Sequence, residues 1–166
     1  MKHRLSAGFT FTVELIVVTA VIATVLSQLI STVDQSLKRV DVVAASAEVL
    51  DGNKTFLSVF YALKGEWPKD NEELQTSFSI PDWSNRHDSR LVDNVKIRNG
   101  AVDITFGPQR KLSGRIITIH PAVPVDDPLG PVKWVVGPRS LTSGWMVVGE
   151  DHTTVDNELI PMILKL

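Results

Sequence analysis

A long apolar stretch begins close to the N-terminus and dominates the hydrophobic pattern of the chain. From Leu15 to Val33 the sequence has no charged residue, and Glu14 is the single carboxylate near its start. As a helix with a rise of about 1.5 Å per residue, this stretch is roughly 28 Å long, close to the thickness of the hydrocarbon core of a bilayer. The pattern therefore predicts a helix over residues 9–32 that can span a membrane.

The same helix is predicted to continue beyond the apolar stretch. From Asp34 to Glu48 charged residues are interleaved with apolar residues at spacings of three and four, which indicates one buried face. A bend or local unwinding is expected at Asp51–Asn53, and Gly65 and Pro68 are predicted to end the amphipathic half, residues 33–65. The predicted buried stripe comprises Val33, Leu37, Val40, Val43, Ala44, Ala47, Leu50, Leu57 and Tyr61.

After the helix the chain becomes polar and irregular before an alternating pattern begins. We expect residues 66–94 to be a connecting region, with a short turn of helix at Asn71 to Gln75. From Val95 to Phe106 apolar and polar residues alternate around Asn99-Gly100, which is the strongest short signal for a β-hairpin. A two-residue turn there predicts three cross-strand pairs: Ile97 with Val102, Val95 with Ile104, and Lys96 with Asp103.

Three further strands are predicted between turn residues: Arg115 to His120, Val132 to Val136, and Trp145 to Val148. Pro121 is expected to end the first of these strands, and the short connections favour antiparallel order. We expect one face of the sheet to cover the helix stripe from Val43 to Tyr61, while the other faces water or another subunit. The sequence thus predicts an α+β fold, in which a long N-terminal helix packs against an antiparallel β-sheet head of residues 95–166.

The N-terminal segment resembles that of a known family. The residues before the apolar stretch include three basic or titratable ones that favour a cytoplasmic N-terminus: Lys2, His3 and Arg4. This short segment, ending in Gly8 and followed by Phe9 and the carboxylate of Glu14, resembles the start of type IV pilins and the related pseudopilins. The resemblance implies that residues 1–8 are a leader, that a prepilin peptidase and methyltransferase cuts between Gly8 and Phe9, and that Phe9 becomes N-methylated.

Glu14 is the informative residue of the stretch, because an ionised carboxylate in lipid is costly and needs a partner. In the pilin family the glutamate is the fifth residue of the mature chain, and the resemblance implies that it pairs with the N-terminal amine of a neighbouring subunit during assembly. Counted from Phe9, Glu14 is the sixth residue. The extra residue turns the carboxylate by about 100° and moves it by about 1.5 Å on a helix. The alternative is a glutamate that snorkels to the interface of a simple membrane anchor.

The rest of the chain shows the same resemblance in part. Tyr61 to Pro68 is similar to the aromatic, glycine and Trp-Pro pattern that often ends the long helix of pilins. Many pilins also close a C-terminal loop with a disulfide, whereas this chain has no cysteine, and Val136 and Leu164 stand where the family has them. We therefore expect a strand or extended tail to dock through its apolar side chains: Ile160, Met162, Ile163 and Leu164.

The sequence carries no motif for catalysis, phosphate binding or metal binding. His120 is expected at the surface or partly packed, Glu150 to Thr154 is expected to be a solvated turn, and Asp103 is expected on a solvated strand face among basic residues. We predict that the protein is not an enzyme and has no cofactor, no metal site and no disulfide.

Taken with the predicted fold, the resemblance implies a structural subunit of a type IV pilus or pilus-like filament, which could support adhesion, twitching motility, DNA uptake or secretion. The resemblance implies assembly with pilin subunits of the same or other kinds. It also implies storage in the bacterial inner membrane with the N-terminus inside, before a place in an extracellular pilus or periplasmic pseudopilus. The formal net charge of −2 argues against general polyanion binding, although nucleic acid as a partner stays open. The alternative is a membrane-anchored extracytoplasmic binding or sensor domain that does not polymerise.

Overall fold

A long N-terminal helix followed by an antiparallel sheet makes up the fold, as the sequence predicts. The computed structural model of the protein describes residues 4–80, 90–138 and 144–161, with side chains from residue 13 onward. The chain divides into two compact units, residues 1–37 and residues 38–166. Helix α1, Arg4–Lys64, is 61 residues long and contributes to both units. The layout is α+β.

Helix α1 ends where the sequence predicts. Gly65 has a left-handed φ of +73°, and its N–H donates to the Tyr61 carbonyl at 2.8 Å, which closes the last turn. The break expected near Asp51–Asn53 does not occur, because α1 is helical throughout that segment. Val49 and Leu57 on either side are buried in the core, and this packing holds the helix despite the glycine between them.

A second helix, α2, spans Asn71–Phe78 and is longer than the predicted turn. The Asp70 carboxylate accepts a hydrogen bond from the Glu73 N–H at 2.9 Å, and the Glu73 carboxylate accepts one from the Lys69 N–H at 2.7 Å. These bonds satisfy backbone donors that the first turn would otherwise leave unpaired.

The sheet has five antiparallel strands, and a single turn of 3-10 helix comes after them at Asn157–Leu159. The strands are β1, Val92–Arg98; β2, Ala101–Phe106; β3, Ile116–Pro124; β4, Lys133–Val136; and β5, Trp145–Val147. Their order is β1-β2-β3-β4, and β5 pairs with the second half of β3. Since Ala122 pairs with both Lys133 and Val147, β4 lies along one edge of β3, and β2 and β5 lie one after the other along the other edge.

The predicted hairpin is confirmed in its register. Ile97 pairs with Val102, Val95 with Ile104, and Lys96 with Asp103, although β1 begins at Val92, three residues before the predicted strand. Asn99 and Gly100 both have positive φ, +48° and +85°, as a two-residue hairpin turn of this hand requires. A Cβ on Gly100 would lie 2.8 Å from Trp67, so the turn accommodates that ring only because residue 100 is glycine.

Strand β3 continues through Pro121, contrary to the expected break. Proline lacks an N–H, so a position inside a sheet normally leaves a carbonyl of the neighbouring strand without its donor. Here Val148 lies opposite: its N–H donates to the Pro121 carbonyl at 2.9 Å. The Val148 carbonyl lies 3.0 Å from Nδ1 of His120. Because a carbonyl only accepts, this ring nitrogen carries the proton and supplies the donor that Pro121 lacks.

The buried stripe of α1 differs from the predicted one in its first half. Val42 is fully buried and Val40 is 62% exposed, although the sequence placed Val40 on the buried stripe. The prediction was also wrong for the next turns, since Val43, Ala44 and Ala47 are exposed. It was right for Leu57 and Tyr61, which are buried. In the first half, the α1 residues buried in the core are shifted by one or two positions from the predicted ones: Val42, Ala45 and Val49.

Candidate assembly surface

The first compact unit presents a largely apolar surface. The helical segment Val13–Asp51 contains a stretch long and apolar enough, by length and composition, to cross a membrane, and none of that stretch is buried. Its large exposed side chains are Val13, Leu15, Ile16, Val17, Val18, Val21, Ile22, Val25, Leu26, Leu29 and Ile30.

Several hydroxyl groups of this segment are hydrogen-bonded within the helix. Four of them donate to the carbonyl four residues earlier: those of Thr19, Thr24, Thr32 and Ser36. The Thr24 and Thr32 bonds measure 2.8 and 2.9 Å. Hydroxyls bonded in this way need neither water nor a partner chain, which suits a helix in lipid.

Glu14 is exposed on α1 among these apolar side chains. Within the described part of the chain, no basic side chain forms an ion pair with its carboxylate. The backbones of Gly8 and Phe9 lie inside α1, and the Phe9 side chain lies outside the described set. The structure therefore places the three predicted residues on one helix, and the expected cleavage and methylation stay predictions.

A second apolar surface lies on the part of α1 that belongs to the head. Val40 and Val43 are exposed, together with the small residues Ala44 and Ala47. On a helix these residues point away from Val42 and Val49, which are buried in the core. We call the set Val40, Val43, Ala44 and Ala47 the outer stripe. It is apolar surface that the head itself does not cover.

The head also contains a buried polar cluster that the sequence did not predict. Asp103 is only 3% exposed, so its expected solvated position was wrong. One carboxylate oxygen accepts the Thr118 hydroxyl at 2.8 Å, and the other lies 2.9 Å from Nε of Arg98 and 3.2 Å from Nδ1 of His152. Lys96 is the register partner of Asp103, yet the diagonal neighbour Arg98 makes the ion pair.

Residues 148–155, here called the strap, come after β5 and cover this polar cluster. They were expected to form a solvated turn from Glu150 to Thr154, and the structure shows instead that they bond to β3. Four hydrogen bonds of 2.8 to 3.0 Å join the strap to Ile116 and Thr118: His152 N–H to the Thr118 hydroxyl, Thr118 N–H to the Thr153 hydroxyl, Ile116 N–H to the Thr154 hydroxyl, and Thr154 N–H to the Ile116 carbonyl. Because the donors and acceptors are matched, these bonds fix the strap against β3.

His120 lies beneath the strap and is 2% exposed, more deeply buried than expected. Its Nε2 lies 3.6 Å from the Asp151 carboxylate, and its Nδ1 contacts the Val148 carbonyl. Both ring nitrogens therefore face groups of the strap, and the histidine has a structural explanation.

The C-terminal segment docks through apolar packing. Val155, Leu159 and Ile160 are buried, and Cδ1 of Ile160 lies 2.7 Å from where a Cβ on Gly137 would be. Gly137 comes directly after Val136, which is also buried. The predicted contacts of Met162, Ile163 and Leu164 lie outside the described residues.

The aromatic segment after α1 has a structural role. Tyr61 stacks on Trp67 with ring centroids 4.2 Å apart, and Trp67 meets Trp134 edge-on at 6.2 Å. The Tyr61 hydroxyl donates to the Pro128 carbonyl at 2.9 Å. These contacts tie the end of α1 to the connection before β4.

Two basic residues of the head each contact a separate part of the chain. Arg110 lies 3.6 Å from Asp41 of α1, and Arg115 donates to the Thr154 carbonyl at 2.9 Å. Among residues 4–80, 90–138 and 144–161, no group of three or more His, Cys, Asp or Glu side chains could hold a metal ion.

The sequence was also compared with those of known proteins. No protein-family model matches the chain. The chain is 24% identical to the type IV major pilin protein PilE1 of Neisseria gonorrhoeae over 166 residues, which covers 96% of this chain and 87% of that protein. The alignment therefore extends through both the apolar helix and the sheet. In sequence and in layout, the chain is similar to a type IV pilin, which is a structural protein.

Proposed function

We propose that this protein is a structural subunit of a type IV pilus or pilus-like filament and that it assembles through α1. Prepilin peptidase removes residues 1–8 at the inner membrane and methylates Phe9. The subunit waits in that membrane with its N-terminus inside, and then packs α1 against other pilin subunits.

The outer stripe is the observation that carries this proposal. A tether for a binding or sensor domain needs apolar side chains only where lipid covers them. Val40 comes seven residues after Val33, where the uncharged stretch ends, and it is exposed. Apolar surface beyond the lipid is covered when neighbouring subunits pack against it. The similarity to a major pilin supports the same conclusion.

Substitution of Glu14 tests assembly directly. We expect Glu14→Ala and the isosteric Glu14→Gln to reduce the chain in sheared surface filaments by at least tenfold, because neither can form an ion pair with an incoming amine. Val13→Ala, the adjacent substitution, serves as the control and keeps assembly. The total amount of chain in the membrane is measured in parallel, since both Glu14 variants are easier to insert. Native filament yield in both variants would contradict the role of Glu14.

Mass spectrometry of the mature N-terminus tests processing. The expected product begins at Phe9 and carries one added methyl group on its amine. A chain that retains residues 1–8 in the filament fraction, or that begins at another residue, would contradict the proposed cleavage. If the chain stays in the inner membrane and never enters the sheared fraction, the anchored-domain alternative holds.

A further inference from the structure

Gln28 is a polar residue of the span that the proposed function leaves unexplained. It lies within the uncharged stretch from Leu15 to Val33, about 21 Å beyond Glu14 at about 1.5 Å per residue. A hydrocarbon core is about 30 Å thick, so the Gln28 side chain is at a depth where water is absent. Its side chain is exposed on the surface of α1.

The carboxamide of Gln28 has no partner among the residues that the structure describes. The hydroxyls one turn away, on Thr24 and Thr32, donate to backbone carbonyls. The backbone carbonyl of Gln28 accepts a hydrogen bond from the Thr32 hydroxyl, but the side-chain carboxamide takes no part in this bond. A carboxamide offers two N–H donors and an acceptor oxygen, and leaving them unpaired in hydrocarbon is costly.

A second copy of the same helix can satisfy this group. All copies insert with the same orientation, so Gln28 of each copy lies at the same depth in the membrane. The carboxamide is self-complementary, because each side chain can donate an N–H to the oxygen of the other. Lipid tails provide neither donors nor acceptors, and interhelical hydrogen bonds from glutamine stabilise helix pairs in membranes.

The surrounding face of the helix permits close approach. Most residues one and two turns from Gln28 on its own face are β-branched or small: Val21, Thr24, Val25, Ser31 and Thr32. The longer Gln35 is two turns away on the C-terminal side. The long side chain of Leu26 lies about 200° around the helix from Gln28, on the other side. The polar group therefore stands on a face where two backbones can come together.

We propose that two copies of α1 pair side by side in the membrane through reciprocal hydrogen bonds between their Gln28 carboxamides. The inference deepens the proposed function and rests on it, since it assigns a contact between subunits before they enter a filament.

Single introduced cysteines test the contact. The chain has no cysteine of its own, so no other thiol contributes to the cross-linking. In membranes that contain the full chain, Thr24→Cys and Thr32→Cys are oxidised with copper phenanthroline, and the disulfide-linked dimer is quantified. We expect dimers from both positions. Leu26→Cys, on the other side of the helix, is the matched control and is expected to give little dimer.

The Gln28 carboxamide is then removed by substitution in the Thr24→Cys and Thr32→Cys variants. Gln28→Leu is expected to lower the dimer yield about three- to tenfold, the range typical of one interhelical polar contact. Because leucine inserts at least as well as glutamine, this loss is not a failure of insertion. Gln28→Asn keeps the carboxamide and is expected to restore part of the yield.

Unchanged dimer yield in Gln28→Leu, or equal dimer from Leu26→Cys, would overturn the contact. The filament yield of the same strains separates this outcome from a failure of the proposed function. If the dimer yield does not depend on Gln28 while Glu14→Ala still abolishes filaments, the Gln28 contact is wrong and the subunit role stands. If the dimer depends on Gln28 and the chain never enters filaments, the subunit role is wrong.

Discussion

Val40 and Val42 are two residues apart on α1 and have opposite environments. Val42 is fully buried in the head, and Val40 is 62% exposed. The same contrast separates the buried stripe from the outer stripe along this part of the helix. The buried stripe packs in the core and stabilises the head, whereas the outer stripe is exposed. The difference shows that α1 has two hydrophobic roles, and that stability and assembly can be changed separately.

The largest expected effect on stability comes from a pair of leucines on α1. Leu57 is fully buried and Leu37 is about half exposed. We expect Leu57→Ala to lower the free energy of unfolding by about 2–5 kcal/mol, because it removes a buried side chain and leaves a cavity. Leu37→Ala is expected to change it by less than about 0.5 kcal/mol. Urea unfolding of the full chain in detergent, monitored by tryptophan fluorescence, measures both. Equal losses would contradict the division of α1 into two surfaces.

A smaller effect is expected in the polar cluster beneath the strap. Asp103→Ala leaves the buried Thr118 hydroxyl without its acceptor, and we expect a loss of about 1–3 kcal/mol in the free energy of unfolding. Arg98 is partly exposed and can turn to water, which limits the loss. Lys96→Ala removes the exposed register partner and serves as the control, with a change within about 0.5 kcal/mol. A larger loss of stability in the Lys96 variant than in the Asp103 variant would contradict the assignment of the ion pair to Arg98.

The smallest effect on stability is expected at the outer stripe. Val40→Thr should change the free energy of unfolding by less than about 0.5 kcal/mol, because the side chain already faces solvent. Val42→Thr, the matched substitution, buries a hydroxyl and should cost about 1–3 kcal/mol. Filament yield should show the opposite order, with Val40→Glu more harmful than Val40→Thr. A Val40→Glu variant with native filament yield would show that the outer stripe is not an assembly contact.

Much of the fold could be predicted from local patterns. The uncharged stretch after Glu14 predicted the apolar helix, and Gly65 predicted its end. Asn99-Gly100 fixed the register of the hairpin, because a two-residue turn leaves one pairing that keeps apolar residues on one face.

The features that could not be predicted depend on residues far apart in sequence. Both faces of α1 carry apolar residues at helical spacing between Val40 and Val49, so periodicity could not tell which face the sheet covers. Asp103 is buried because the strap crosses it, and no signal near Asp103 reveals that cover. Likewise, Pro121 is tolerated within β3 because the His120 ring supplies a donor to Val148.

The candidate site shows the same division. Gly8, Phe9 and Glu14 could be proposed from a short pattern, whereas the outer stripe required the burial of each α1 residue in the folded head. The sequence had assigned Val40, Val43, Ala44 and Ala47 to the core. In the structure they become the observation that favours assembly over a simple tether.

Burial of the span in lipid-free filaments is the most direct test of assembly through α1. Ser27→Cys places a thiol in the span, and Ser113→Cys places one on the exposed surface of the head by the same substitution. In sheared filaments treated with a water-soluble maleimide, Ser113→Cys is expected to react at once. Ser27→Cys is expected to react only after detergent dissociates the filament. Equally fast labelling of both thiols in intact filaments would contradict the proposal that neighbouring subunits cover α1.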